Sequence, residues 1–322
     1  MKKQSRQSSR GKKQSAFSLI ELMVAMGILT VLMYTLTMML DQVQKAWVFS
    51  ESRIGQFREA RVAFDLLAKN LGQASLNTYW DLEDEDGDGL IDRYFRTSEL
   101  HFISMDSDKL SVSGQQQPVG HAVFFQAPLG FSTEYRNLNN LFNGRGYFVA
   151  FGGNEKFRPS FIDGAQRYRF RLMEFRPPAE FNQVFADGGQ ERESGEPQEF
   201  TEWYRQSMSL AGDEGGFEDH LNPIADNILA LIVSPRDSLV QNAGGRDDTY
   251  SQIAPNYAYD SNDSSDGFAG FAQQVPPLVR LTMVAIDENS AIRMENGTTM
   301  PDVMPEGPVS YTHLTLPTIR LV

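Results

Sequence analysis

A single apolar stretch near the N-terminus constrains this chain more than any other feature. The 24 residues from Phe17 to Leu40 contain one charged side chain, Glu21. About 20 apolar residues are enough for a helix to cross a bilayer. The stretch follows a leader, residues 1–16, that is basic and contains no acid. We therefore expect residues 17–40 to form a transmembrane helix that anchors the chain.

Glu21 is the exception within this span and requires an explanation. A charged side chain at bilayer depth costs about 2.5–3.5 kcal/mol on insertion scales and normally marks function. The positive end of the helix dipole favours an acid by only about 0.3–1 kcal/mol, which is too little. A cut between Ala16 and Phe17 would create a free α-amine at the same depth on a neighbouring subunit. We expect pairing between this amine and Glu21 to drive assembly.

The residues around this junction carry a family resemblance. Ser-Ala-Phe-Ser-Leu-Ile-Glu-Leu-Met-Val-Ala-Met, residues 15–26, resembles the class III signal of type IV pilins and type II secretion pseudopilins. The resemblance implies that a prepilin peptidase cuts between Ala16 and Phe17 and methylates the new amine. Glu21 then becomes the fifth residue, which is an acid in that family. The sequence departs from the family in two ways: Ala16 replaces the usual Gly, and the span lacks the Pro common in major pilins.

The N-terminus has two other possible interpretations. An ordinary signal anchor fits the apolar span but leaves Glu21 unexplained. A cleaved secretory peptide fits poorly, because no small-x-small site follows the span and the span exceeds a normal apolar region of such peptides.

The charge distribution predicts orientation and limits the partners. The net charge is −13, and without the six basic residues of the leader 23 basic residues remain against 42 acidic ones, which is −19. Basic flanks stay in the cytoplasm, so we expect an inner-membrane protein with one span and an acidic extracytoplasmic domain. Such a domain has no basic face for nucleic acid. The chain has no cysteine, so a disulfide framework is excluded.

A second helix signal follows the span. In residues 41–75 apolar positions recur at steps of three and four, which predicts an amphipathic helix continuing into the globular domain. The positions of the expected buried stripe are Trp47, Ile54, Phe57, Phe64, Leu67 and Leu71. Residues 56–74 are similar to the larger minor pseudopilins of the J type, although any buried amphipathic helix would share the periodicity.

The rest of the chain, residues 76–308, is predicted to be rich in β-structure. Short apolar or alternating runs bounded by turn residues indicate strands at 100–105, 122–126, 147–151, 168–175, 228–234 and 278–286. Arg169 and Arg171 alternate with apolar residues, which predicts one buried and one solvated face. The fold class is therefore α+β and pilin-like: a long N-terminal helix packed on an antiparallel sheet, with long acidic loops at 177–223 and 238–274. Trp203 and Tyr204, within the first of these loops, are expected to be buried anchors.

The end of the chain shows two further resemblances. Residues 278–293 resemble the last strand and its exit in a pilin-like family called Verru_Chthon cassette protein C. Residues 309–322 resemble translated sequencing-adapter read-through, so we expect them to be a non-native tail and the native C-terminus to be missing.

An acidic loop between helix and sheet is the candidate metal site. Within residues 81–92, a run starting at Asp84 matches the first nine places of a calcium loop, with Gly89 at the sixth. The predicted ligands are Asp84, Asp86, Asp88, the carbonyl of Leu90, and Asp92. Phe95 occupies the twelfth place, so Asp81, Glu83 or Glu99 would have to complete a structural Ca²⁺ shell. A solvated acidic turn without metal is the alternative.

The sequence offers little for catalysis. His101, His121, His220 and His313 lack metal-ligand spacing to one another, and each is expected to be structural or solvated. We find no nucleophile elbow, zinc-binding helix, phosphate loop or dinucleotide fingerprint, so we expect no enzyme activity and no organic cofactor.

The combined interpretation is a minor subunit of a type IV pilus or type II secretion filament. The resemblance implies a prepilin peptidase, other pilin subunits and an inner-membrane assembly platform as partners, with membrane lipid around the span. The subunit could then be extracted into a periplasmic or surface filament. The alternatives are a membrane-tethered extracytoplasmic enzyme and a calcium-dependent adhesin.

Overall fold

The computed structural model describes most of the chain and divides it into two units. The described residues are 18–84, 89–110, 112, 116–135, 138, 140–159, 161, 164, 166–181, 203–204, 220–236, 253–254, 257–263, 272–295, 297–301 and 318–320. The two compact units are Met1–Glu51 and Ser52–Val322.

Helix α1, Leu19–Leu71, contributes to both units. Its sequence contains no proline and is dominated by residues with good helix propensity, so nothing interrupts the backbone hydrogen bonds. In the first unit its described residues are all exposed. A helix whose apolar side chains remain exposed requires an apolar environment or partner.

In the second unit, α1 packs one face against the sheets from Ala60 to its end. The buried apolar side chains are Ala60 and those three, four, seven and eleven residues after it, namely Ala63, Phe64, Leu67 and Leu71. The predicted amphipathic helix is therefore confirmed, but its stripe is shorter than predicted. Trp47 and Ile54 are 70% and 66% exposed. Two alanines at the start of the buried face, which a search for large apolar residues overlooks, mark where packing begins.

The main sheet has six antiparallel strands in the order β7-β6-β5-β4-β3-β9. Their bounds are β3 Ile103–Asp106, β4 Gln117–Pro128, β5 Phe142–Gly152, β6 Arg169–Phe175, β7 Leu221–Asp226 and β9 Tyr259–Asp260. Strand β4 shifts register between Val119 and Ala122, where Gly120 has φ +74°. A β-bulge at this point re-aims the strand, and glycine adopts the left-handed conformation without strain.

Two smaller antiparallel sheets complete the domain. The first pairs β1, Tyr79–Glu83, with β2, Arg93–Thr97, and the second has the order β11-β10-β8. Strands β8, β10 and β11 comprise Ile228–Arg236, Leu278–Ala285 and Thr318–Arg320. Helix α2, Glu288–Met294, follows β10 and is capped by Asp287, whose carboxylate accepts from the Ser290 amide.

Both faces of the six-stranded sheet are buried. One face, including Val123 and Val149, joins α1, β8 and β10 in a single apolar cluster. The other face, including Phe124 and Phe148, is covered by Trp203, Tyr204 and nearby residues. The α+β architecture of a long N-terminal helix and antiparallel sheets is thus confirmed, as are Trp203 and Tyr204 as buried anchors, 4% and 1% exposed.

The predicted solvated face of β6 is wrong. Arg169 and Arg171 are only 5% and 4% exposed. Arg169 pairs with Glu288 and Glu295, and Arg171 pairs with Asp226 at 2.9 Å. Buried guanidinium groups are tolerated when carboxylates and carbonyls accept their hydrogen bonds. The carboxylates that do so here are distant in the sequence, so the local pattern did not indicate them.

Candidate functional site

The start of α1 is closed by a reciprocal pair of hydrogen bonds between Ser18 and Glu21. The Ser18 amide donates to the Glu21 carboxylate at 3.1 Å, and the Glu21 amide donates to the Ser18 hydroxyl at 3.3 Å. This arrangement is a capping box, which satisfies two of the amides that every helix leaves unpaired at its start. Glu21 therefore has a structural role within its own chain, in addition to the intersubunit role predicted from its charge.

The span that follows suits a bilayer by length and composition. Among the described residues only the helical segment Leu19–Glu51 passes these criteria, with a mean hydropathy of 2.1 over an 18-residue window. The hydroxyls of Thr30, Thr35 and Thr37 donate to carbonyls one turn earlier in the same helix. Polar groups in lipid must be satisfied internally. The segment fits a single-pass membrane anchor.

The two predicted processing residues, Ala16 and Phe17, lie outside the described residues. Ser18, immediately after them, is described and caps α1, so the helix begins two residues after Phe17 at Leu19. The predicted cut between Ala16 and Phe17 stays a prediction.

The predicted acidic loop, residues 81–92, begins within strand β1, which extends to Glu83, and its remainder joins β1 to β2. Of its predicted calcium ligands, Asp84, Leu90 and Asp92 are described, whereas Asp86 and Asp88 lie outside the described residues. The Asp84 carboxylate accepts from the amide of Gly89 at 2.8 Å, and Gly89 has φ +84°. The carboxylate thus closes the turn at which glycine was expected, a geometry that acidic turns adopt with or without a cation.

All three acids proposed to complete the shell have partners within the chain. Asp81 accepts from the Leu82 amide at 2.9 Å. Glu83 forms an ion pair with Arg93, and Glu99 accepts from Asn77 and Tyr79. Within the described part of the chain no three metal-binding side chains form a group. The described atoms therefore neither assemble a calcium shell nor include all of its predicted members.

His101 lies in a buried hydrogen-bonded chain that sequence reasoning did not find. Its side chain is fully buried, its Nε2 lies 2.7 Å from Asp260 Oδ1, and Trp203 Nε1 donates to its Nδ1 at 3.2 Å. Because Nδ1 accepts, Nε2 carries the proton and donates to Asp260. The carboxylate in turn has a pKa held below its usual range, against the effect of burial, by His101 and the Asn262 amide. Both ring nitrogens are occupied, so this His–Asp pair is structural.

His121 also has a structural environment. Its Nδ1 accepts from the amide of Val233 at 3.2 Å, and its ring packs against Tyr257. Burial lowers the pKa of His121, which favours the neutral ring that this hydrogen bond requires. The expectation that His101 and His121 are structural agrees with these contacts.

A buried polar network lies below the last turn of α1. Asn70 donates to the hydroxyl of Tyr147 at 2.7 Å, and that hydroxyl donates to Glu174 at 2.8 Å. Arg145 approaches the same carboxylate at 3.7 Å. The network links the helix to strands β5 and β6 and fixes its position on the sheet.

Comparison with known proteins finds one family. Residues 11–33 match the prokaryotic N-terminal methylation motif. The match covers the end of the basic leader, the Ala16–Phe17 junction, Glu21 and the first half of the apolar span, and it supports a type IV pilin-like prepilin signal. No curated protein and no solved structure matches the chain significantly.

Proposed function

We propose that this chain is a pilin-like minor subunit of a type IV pilus or type II secretion filament, cut between Ala16 and Phe17 and assembled through α1. The observation that carries the proposal is the N-terminal methylation motif at the start of an exposed apolar helix. The motif implies processing by a prepilin peptidase and assembly with other pilin subunits. Packing of such helices against one another would keep the apolar side chains away from water once the subunit leaves the bilayer.

The charge of the leader supports an orientation with the N-terminus in the cytoplasm of the inner membrane. An assembly platform would then extract the subunit from the surrounding lipid into the filament. Head-to-tail contacts that do not close generate a helical filament. The narrower resemblances, to J-type pseudopilins and to Verru_Chthon cassette protein C, stay predictions.

The proposed role is structural rather than enzymatic. Two of the three described histidines are engaged in structural side-chain contacts, His101 with Asp260 and His121 with Val233. A calcium-dependent adhesin would have the same anchor and helix. It would differ by binding a ligand through its extracytoplasmic domain.

The cleavage is tested by mass spectrometry on the full chain co-expressed with a prepilin peptidase. We expect a mature chain that starts at methylated Phe17. The variant Ala16→Gly, which restores the residue usual in the family, should be cut at least as rapidly. An intact Met1 or a cut after Leu40 would refute the proposal.

The capping box allows the charge of Glu21 to be tested separately from its hydrogen bond. Glu21→Gln keeps an oxygen that can accept from the Ser18 amide but removes the charge. Ser18→Ala keeps the charge but removes the hydroxyl cap, at a cost of about 0.5–2 kcal/mol of helix stability.

If Glu21 pairs with the amine of a neighbouring subunit, Glu21→Gln should be processed normally and incorporated poorly into filaments, measured by quantitative blotting of sheared filaments. Ser18→Ala should be incorporated nearly as well as the wild type. The reverse ranking would show that Glu21 acts through the cap and would remove the charge-pairing argument.

A further inference from the structure

A cationic pocket opens beside the last turn of α1. Its volume is about 440 Å³, and its wall includes Lys69, Gln73, Arg145, Glu174 and Arg176. Pockets for small ligands have volumes of about 300–1,000 Å³. Three cations and one carboxylate therefore face one cavity in a chain whose net charge is −13.

Arg145 is the most unusual of these cations. Its side chain is 6% exposed, and its Nε and Nη1 make no hydrogen bond with the described residues. The nearest carboxylate oxygen, on Glu174, lies 3.7 Å from Nη1 and already accepts from Tyr147. A guanidinium with unsatisfied buried donors is costly, because each lost hydrogen bond to a charged group is worth about 1.5–3 kcal/mol. Burial also lowers the pKa of Arg145.

The other two cations are not neutralised by described residues. Arg176 places its guanidinium over the ring of Phe131 at 4.2 Å, and no carboxylate of the described residues lies within ion-pair distance of it. Lys69 is exposed and likewise has no ion pair with the described part of the chain. Formal charges at the pocket sum to +2, so an anion would meet complementary charge there.

We propose that this pocket binds a small organic anion through a carboxylate or phosphate group placed on Arg145 and Arg176. A guanidinium presents parallel N–H donors that match the two oxygens of either group. Bound there, the oxyanion would accept from the edge of the Arg145 guanidinium that lines the pocket, and its negative charge would balance the charges of Arg145 and Arg176. Lys69 in the last turn of α1 and Gln73 just after the helix would contact the outer part of the ligand.

The test uses the purified full chain in detergent, with inorganic phosphate and citrate as probes and chloride at the same ionic strength as reference. We expect at least one probe to raise the melting temperature saturably, as a ligand of the folded state does. A response to phosphate alone indicates a phosphate ligand, and a response to citrate alone indicates a carboxylate.

Three variants locate the site. Arg145→Met keeps the apolar stem and removes the donors. Arg176→Gln removes an exposed cation of the pocket and tests the site even if Arg145→Met fails to fold. Arg167→Gln removes a cation that is 65% exposed and does not line the pocket.

Arg176→Gln, and Arg145→Met if it folds, should weaken binding about tenfold, the value of one charge-assisted hydrogen bond. Arg167→Gln should leave binding unchanged. The proposal is overturned if neither probe acts beyond chloride, or if Arg167→Gln weakens binding as much as Arg176→Gln.

Discussion

The hydroxyl of Tyr147 should contribute more to stability than its size suggests. It accepts from Asn70 and donates to Glu174, and the Tyr147 side chain is fully buried. Tyr147→Phe keeps the ring but leaves the side-chain amide of Asn70 and the carboxylate of Glu174 without this hydrogen-bond partner. A neutral hydrogen bond is worth about 1 kcal/mol and one to a charged group about 1.5–3 kcal/mol, so we expect a loss of about 3 kcal/mol.

Urea unfolding of the full chain in detergent measures this loss through tryptophan fluorescence. Trp203 is 4% exposed, whereas Trp47 and Trp80 are 70% and 66% exposed, so Trp203 should report the loss of packing. With a denaturant slope of about 3 kcal/mol/M, the midpoint should fall by about 1 M.

A matched control is Tyr79→Phe, which removes a hydroxyl that donates to Glu99 at the surface. Surface substitutions of this kind usually stay within about 0.5 kcal/mol. If Tyr147→Phe lowers stability no more than Tyr79→Phe does, the network does not fix α1 on the sheet as argued.

Three other outcomes are expected. Burial lowers the pKa of His121 from its ordinary value of 6.5. The unfolded chain therefore binds the proton at a higher pH than the folded chain does, and stability should fall as the pH drops below about 6.5. The urea midpoint of His121→Gln should fall less over this interval, and an equal fall would contradict the assignment. Gly144→Ala would place a Cβ 2.5 Å from the ring of Trp203 and should cost about 1–3 kcal/mol in the same assay, whereas Gly164→Ala, with its nearest contact at 3.6 Å, should be tolerated. If the acidic loop binds Ca²⁺, chelation should lower the melting temperature and Asp86→Ala should abolish the difference; equal melting with and without chelator would exclude a stabilising Ca²⁺.

Periodicity predicted the parts of the fold that depend on local pattern. Helix α1 was predicted because its apolar residues recur with helical spacing or form a continuous run. An apolar or alternating run of residues likewise predicted strands β3, β4, β5, β6, β8 and β10. Strand β7 was missed because Pro223 and the preceding polar run argue against a strand, although an edge position tolerates proline. The segment after β10 was interpreted as a strand exit, yet Asp287 and Ser290 start α2 there.

In the candidate site, likewise, local contacts could be predicted from the sequence, whereas contacts between distant residues could not. The Ser18 and Glu21 cap is a four-residue signature that the sequence displays and that could have been found. His101 and Asp260 are 159 residues apart, and Arg169 and Glu295 are 126 apart. No local sequence pattern indicates such pairs. The alternation of arginines with apolar residues on β6 therefore predicted solvated arginines, although they are buried.

The cap at Ser18 also bears on how a precursor could mature. Each hydrogen bond of the box is made by atoms of Ser18 and Glu21, so none of them is supplied by the leader. Removing residues 1–16 would therefore leave the first turn of the helix with the same bonds before and after the cut. A precursor in the bilayer and its mature product would then share the same helix start, and cleavage would add a charged amine beside it without altering the fold of the anchor.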